Sequence, residues 1–174
     1  LLVPVEEEIS YCQEEIVRKF NLDKVKQIVP GGKERYHSVY EGLKAAGDCH
    51  LVFIHDGARP FVDQGILERT KEAAETYQAC VAGMPVKDTI KLSDGHGTAV
   101  ETPRRDLLWM IQTPQVFDCA LIREAYRKLM ESDGTLAVTD DAMVLESIEG
   151  KKVRLVEGSY RNIKITTPED LLLS

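Results

Sequence analysis

Short β-branched apolar runs alternate with stretches of helical period along most of this chain, and that alternation is what most restricts its fold. Residues 51–54, Leu-Val-Phe-Ile, form a continuous apolar run that suits a strand covered on both faces of a parallel sheet. Further runs at residues 1–5, 25–29, 80–86, 153–156 and 163–165 read as strands. Between them, residues 6–20 place Ile9, Cys12, Ile16 and Phe20 on one helical face, and residues 38–46 do the same with Val39, Gly42, Leu43 and Ala46 before Gly47 ends the helix. Asp63 reads as the N-cap of a helix that turns Ile66, Leu67, Thr70, Ala73 and Ala74 inward. Asp118 caps residues 119–130, Thr139 caps residues 140–147, and Thr167 followed by Pro168 opens a last helix. The pattern predicts one α/β domain over residues 1–174, doubly wound and Rossmann-like with a mostly parallel sheet, whose ligands sit at the carboxyl ends of the strands.

One stretch breaks the alternation. Residues 88–107 hold two strand-like flanks around the tip Ser-Asp-Gly-His-Gly, a β-hairpin inserted between α/β units. Its mixed polar and apolar residues suit an arm that reaches a second subunit, while a flexible surface hairpin is the alternative. Length agrees with a single domain, since 174 residues bury enough surface to fold without a staple. The net charge of −7 argues against a surface that coats nucleic acid, but says nothing of one local anion pocket. No apolar run approaches the ~20 residues of a membrane span, and the acidic LLVPVEEE start is unlike a signal peptide. Cys12, Cys49, Cys80 and Cys119 form no C-x-x-C, so four reduced core thiols in a cytoplasmic protein are expected. His37, His50, His55 and His96 show no metal-ligand spacing.

The residues able to carry chemistry lie where the sheet should deliver them. Pro30-Gly31-Gly32-Lys33-Glu34-Arg35 joins a strand to a helix, and its glycines let a ligand approach the backbone; a plain turn explains it as well. His55-Asp56-Gly57-Ala58-Arg59-Pro60 brings an acid, two small residues and an arginine to the cleft edge, where Arg59 could fork onto a phosphate and Asp56 could meet sugar hydroxyls or help hold Mg²⁺. A local Asp56–Arg59 ion pair that merely fixes the loop is the competing reading. Lys164 stands in the apolar run Ile163-Lys164-Ile165, facing either solvent or a phosphate. Arg104-Arg105 at the base of the hairpin reads as a solvated pair, and Thr139-Asp140-Asp141 as a helix start.

Taken in order, GGKERYHSVYEGL, HDGARP, PVKDTIK, TPQVF, TDDA and EGSYRNIKITTPEDL make the chain resemble the 2-C-methyl-D-erythritol 4-phosphate cytidylyltransferases of the non-mevalonate isoprenoid pathway over essentially its whole length. The resemblance implies transfer of CMP from CTP to methylerythritol phosphate, with Mg²⁺ and with pyrophosphate released. It implies that Gly32 and Ser38 hold the cytosine, and that Asp56 and Gly57 meet ribose and substrate hydroxyls. It further implies that Arg59, Thr113, Thr139 and Lys164 line the sugar-phosphate site, and that a homodimer lends Thr89 and Arg105 from its arm. Arg105 and Lys164 would then position the phosphate for attack, with Asp56 beside them. The metal would be held mainly by CTP, with Asp56 the one protein ligand implied.

The family also opens with a strand and a glycine-rich loop, A-A-G-x-G-x-R-M followed by K-Q, which wraps the triphosphate; these 174 residues do not include it. The domain is therefore expected to be incomplete at its N-terminus, to expose apolar sheet edges and to be inactive by itself. Two rivals remain at this point: a sister cytidylyltransferase acting on ribitol 5-phosphate, and a noncatalytic module that dimerises or binds a sugar phosphate.

Overall fold

The computed structural model describes residues 1–132 and 137–172. In chain order its elements are α1 (Ile9–Tyr11), α2 (Arg35–Ala45), β1 (Leu51–Ile54), α3 (Gln64–Tyr77), β2 (Ala79–Pro85), β3 (Leu92–Ser93), β4 (Ala99–Glu101), β5 (Trp109–Asp118), α4 (Cys119–Glu131), α5 (Asp141–Glu149) and β6 (Arg154–Glu157). The chain clusters into two compact units, one of Leu1–Val52 and Phe117–Lys152, the other of Phe53–Val116 and Val153–Ser174.

In the first unit the N-terminal helical segment runs from a 3-10 turn, Glu6–Glu8, through α1 into a π-helix, Cys12–Arg18. Its wide register shows in Leu22 N donating to Val17 O at 2.9 Å, five residues back. The expected apolar face is broken up as a result: Cys12 is buried and Phe20 is exposed. The strands expected at residues 1–5 and 25–29 reduce to one parallel bridge, Leu2 with Ile28. α4 packs against both α2 and α5 around Leu43, Ile122, Tyr126, Leu129, Val144 and Leu145.

Asp118 caps α4 as expected, accepting from Leu121 N at 3.0 Å. The cap of α5 is Asp140, not Thr139: its carboxylate accepts from Met143 N at 2.8 Å, one residue later than the sequence suggested. The next residue, Asp141, is fully buried. Arg35 grips it with both terminal nitrogens, at 3.0 and 2.8 Å, and the Tyr126 hydroxyl donates to the same carboxylate. Burial, and then the Asp141 charge, hold the Tyr126 phenol far above its ordinary pKa.

The expectation of four reduced thiols fails for one pair. Cys49 and Cys119, 70 residues apart in sequence, form a disulfide with their Cα atoms 5.9 Å apart. Cys119 N donates to His50 O at 2.9 Å, so the start of α4 is already bound to the segment that carries Cys49. Sequence spacing holds no trace of that contact, and the cysteines no longer argue for a reducing compartment. Cys12 and Cys80 are free and buried.

In the second unit the sheet order is β1-β5-β2-β6, and β2 and β6 pair in parallel from Cys80 with Arg154 to Gly83 with Glu157. α3 covers β2 and β6, burying Ile66, Thr70 and Ala74, with Asp63 as its cap. Leu67, expected inward, is exposed. Gly83 has a packing reason: a Cβ there would lie 3.0 Å from Met110 O, so the glycine lets β2 approach β5. β1 lies at the edge of the order with Phe53 exposed, which corrects the expectation of a strand covered on both faces. β5, an inner strand of ten residues, has no counterpart in the sequence reading. Residues 163–165 are not a strand; Ile165 N makes a single loop bond to Ala58 O at 2.8 Å. The last helix is a 3-10 segment, Pro168–Leu172, closed by Asp170, which accepts from Thr166 N and Thr167 N at 2.8 Å each. β3 and β4 form a separate antiparallel pair, as the hairpin required.

Two outcomes test this packing. Arg35→Ala leaves a fully buried Asp141 without its cation and is expected to cost about 3 kcal/mol in urea unfolding; Tyr126→Phe should cost about 1.5 kcal/mol. No loss in either would show that the cluster does not stabilise the first unit. Burial pushes the Cys80 thiol up to about 12. Native Cys80 should therefore resist iodoacetamide near pH 8 and react only after unfolding, as peptide mapping would show.

Candidate functional site

The richest cluster belongs to the second unit. β1 delivers the loop of residues 55–60, β5 supplies Thr113, and residues 162–165 run beside the loop. Thr113 Oγ1 accepts from Asp56 N at 3.1 Å and lies 3.0 Å from His55 Nδ1. His55 Nε2 lies 3.0 Å from Arg59 O. A carbonyl can only accept, so Nε2 carries the proton, and in that tautomer Nδ1 accepts from the Thr113 hydroxyl. The Thr113 hydroxyl is thus engaged within the protein, where it shapes the loop that carries Asp56 and Arg59.

Asp56 faces two cations. Lys164 Nζ stands 3.0 Å from Asp56 Oδ2, and Arg59 Nε stands 4.0 Å from the same oxygen. The side chains of Asp56 and Arg59 are only 15% and 13% exposed, while that of Lys164 is 43% exposed. Both bland readings of the sequence are therefore incomplete: the local Asp56–Arg59 pair is the longer one, and Lys164 is neither in a strand nor simply solvated. Arg59 NH1 donates to Asn162 O at 2.8 Å, and among the described residues its buried Nε has no hydrogen-bond partner. Burial lowers the Arg59 pKa, with Asp56 pulling it back up. Beside this group Gly57 presents an open backbone, since a Cβ there would meet nothing within 4 Å.

A second constellation belongs to the first unit. Gly31 N donates to Pro4 O at 2.7 Å, and Gly32 N to Ser38 Oγ at 3.0 Å. Neither glycine has room for a side chain: a Cβ on Gly31 would lie 2.8 Å from Ser38 Oγ, and one on Gly32 2.4 Å from His37 Cβ. Ser38 Oγ has only long acceptors for its own proton, Gly32 O at 3.5 Å and Glu34 O at 3.4 Å. Thr139 is exposed, with its hydroxyl 3.4 Å from Met143 Sδ.

The structure thus brings Asp56, Arg59, Thr113 and Lys164 together in one unit, and Gly32 and Ser38 in the other. Thr89 and Arg105 lie on the stretch that leads into and out of the hairpin; both are exposed, and Arg105 NH1 donates to Lys87 O at 2.9 Å. Its neighbour Arg104 pairs with Asp106 rather than standing free. Sequence reasoning missed Asn162, whose only signal was a polar residue directly before Ile-Lys-Ile, and it missed the Arg35–Asp141 pair, which nothing local announces. Among the described residues no group of three or more His, Cys, Asp or Glu could hold a metal ion, and no helix is long and apolar enough to cross a membrane.

Comparison with known proteins points one way. The family model for 2-C-methyl-D-erythritol 4-phosphate cytidylyltransferase matches residues 7–174. The enzyme of that name from Caldanaerobacter subterraneus subsp. tengcongensis is 50% identical over 175 residues, covering 100% of this chain and 76% of the relative. That from Clostridium kluyveri is 49% identical, covering 100% and 74%. Among solved structures, 4-diphosphocytidyl-2C-methyl-D-erythritol synthase from Anaerococcus prevotii superposes with a TM-score of 0.84 at 37% identity, covering 99% of this chain and 74% of that one. The Thermus thermophilus cytidylyltransferase gives 0.74 at 38% identity, covering 84% and 70%.

The cluster makes a prediction of its own. Asp56→Asn removes the one charge that Lys164 and Arg59 share, and should cost about 1 kcal/mol for a partly exposed pair. Inorganic phosphate should then raise the melting temperature of the variant more than that of the parent. Equal shifts would mean that the two cations do not face a common anion site.

Proposed function

The chain belongs to the 2-C-methyl-D-erythritol 4-phosphate cytidylyltransferase family, and from that premise we propose how its own residues divide the work. The reaction transfers the cytidylyl group of CTP to 2-C-methyl-D-erythritol 4-phosphate in isoprenoid biosynthesis. A phosphate oxygen of the sugar phosphate attacks the α-phosphorus of CTP, the bond to the bridging oxygen breaks, and pyrophosphate leaves with that electron pair. The nucleophile is already anionic, so no strong base is needed; the protein aligns the phosphates and neutralises their charge.

The observation that carries the assignment is the Lys164–Asp56–Arg59 cluster, two cations around one carboxylate at 3.0 and 4.0 Å. Arg59 and Lys164 take the phosphate of methylerythritol phosphate, and Lys164 holds its attacking oxygen in line. Asp56 and the open backbone at Gly57 meet hydroxyls of ribose and substrate. Thr113 keeps the loop in place, and family likeness assigns Thr139 a substrate-binding hydroxyl. Ser38, whose proton has only long acceptors, donates to the cytosine carbonyl, with Gly32 beside it presenting backbone. Family members use a divalent metal with CTP; Asp56 is the residue of this chain that would help hold Mg²⁺, which would shield charge on the phosphates. A cytoplasmic setting is part of this reading, because both substrates are charged phosphates that do not cross a bilayer unaided.

The enzyme works as a homodimer through residues 88–107. β3 and β4 pair only with each other, and Ile90, Leu92, Val100 and Leu107 are exposed. Such an arm gains by packing on a second copy, and a two-fold axis makes the exchange mutual. The partner subunit's Arg105 then faces the reacting phosphate, and the partner subunit's Thr89 borders the site. Pyrophosphate release measured with methylerythritol phosphate and with ribitol 5-phosphate tests the substrate; faster turnover of the ribitol ester would overturn it.

The shared site has a sharper test. Lys164→Ala and Arg105→Ala should each lower kcat by roughly 100-fold. In a mixed dimer, one site joins the arm of the Lys164→Ala chain to the core of the Arg105→Ala chain, and that site is intact. Mixing the two inactive variants should restore about half of wild-type activity per heterodimer. No recovery after subunit exchange has been verified would mean that each arm serves its own chain.

A further inference from the structure

We propose that Asn162 is the positioning residue for both phosphate-binding cations, an inference that rests on reading the Asp56–Arg59–Lys164 cluster as the sugar-phosphate site. Asn162 is fully buried, and residues 162–165 belong to no strand. That segment owes its place to a few bonds, and Asn162 makes most of them. Its Nδ2 donates to Thr113 O at 2.9 Å and lies 3.4 Å from Gln112 Oε1, which ties the segment to β5. Its backbone carbonyl accepts from Arg59 NH1 at 2.8 Å, which ties it to the loop of residues 55–60. Three residues on, Ile165 N donates to Ala58 O at 2.8 Å. Lys164 therefore hangs between two fixed points, with Nζ 3.0 Å from Asp56 Oδ2.

The same residue sets what Arg59 can offer. NH1 is committed to the Asn162 carbonyl, whereas the buried Nε is without a hydrogen-bond partner. A guanidinium anchored at one terminal nitrogen presents its remaining donors in a fixed plane, the geometry a phosphate takes in two-pronged contact. Asn162 Oδ1 is also buried without a hydrogen-bond partner. An amide whose carbonyl goes unsatisfied is a poor way to build a core. It is understandable where the amide's other bonds and its backbone carbonyl are needed to hold two cations in register.

The test uses Asn162→Asp and Asn162→Ser in the full-length enzyme, with Lys164→Ala alongside. Asn162→Asp keeps the shape but removes the N–H given to Thr113 O. We expect KM for methylerythritol phosphate to rise and kcat to fall, together roughly 10- to 100-fold in kcat/KM, with KM for CTP unchanged. Asn162→Ser, which retains a donor on a shorter side chain, should lose less. A merely structural amide would lower the melting temperature and leave both KM values where they were, and that result overturns the proposal. So does failure of both variants to fold, which makes Asn162 a core residue only. If Lys164→Ala itself leaves sugar-phosphate KM and kcat intact, the reading of the site falls; if Lys164→Ala is crippled and both Asn162 variants are normal, only the role of Asn162 falls.

Discussion

A largely buried carboxylate between two cations is the constraint on which the second unit turns. Arg59 is taken largely out of water, at a cost visible in its lowered pKa. Two unit charges 4 Å apart interact by about 4 kcal/mol at the effective dielectric of a protein surface, so each cation gains from a nearby counter-charge. Asp56 supplies it, 3.0 Å from one and 4.0 Å from the other. One negative and two positive charges leave a net charge of one in a small space. In the proposed site a substrate phosphate would complete that balance, although the chain as a whole carries a net charge of −7.

The first unit solves a related problem without leaving charge over. Asp141 is as buried as any apolar residue of the core, yet one bidentate arginine and one tyrosine hydroxyl satisfy it. Arg35 begins α2, three residues after Gly32, and Asp141 begins α5, two residues after Thr139. The pair therefore joins the start of α2, which bears Ser38, to the start of α5, which follows Thr139. Its completeness marks it as scaffold, whereas in the other cluster, among the described residues, the buried Nε of Arg59 has no hydrogen-bond partner.

What the sequence revealed was what is local. The caps at Asp63 and Asp118, the helices they start and the strand at Leu51–Ile54 all follow from residues within a few positions of one another. The hairpin was legible for the same reason. β5 was not: its Gln112, Thr113 and Gln115 are buried polar residues around Pro114, and polar composition with a proline argues against an inner strand. Those polar groups are there because Gln112 and Thr113 bond to Ser159, Asn162, Asp56 and His55. The run at residues 163–165 misled in the opposite sense, since apolar neighbours of Lys164 serve loop packing and not a ladder. The Cys49–Cys119 bond lay beyond any local pattern, and the acidic side chain at Asp140 displaced the cap expected at Thr139. The site residues themselves were named through family likeness; the structure adds the bonds that make four of them a unit.

The two cations of the cluster are not interchangeable, and their surroundings say why. Arg59 is enclosed and anchored through NH1, so its remaining donors point in one direction. Lys164 reaches in from a more open position on a flexible stem, held by a charge contact rather than by a fork. On the proposed assignment of these two cations to the sugar phosphate, the substrate phosphate changes during transfer from a monoester that carries up to two charges into one link of a diphosphate. Its fixed oxygens can stay on a rigid guanidinium throughout. The oxygen that attacks must move toward phosphorus and give up its charge, and a point charge on a mobile stem can follow it while a planar fork cannot. Rigidity at Arg59 with freedom at Lys164 is thus the arrangement that in-line displacement on an anionic nucleophile calls for.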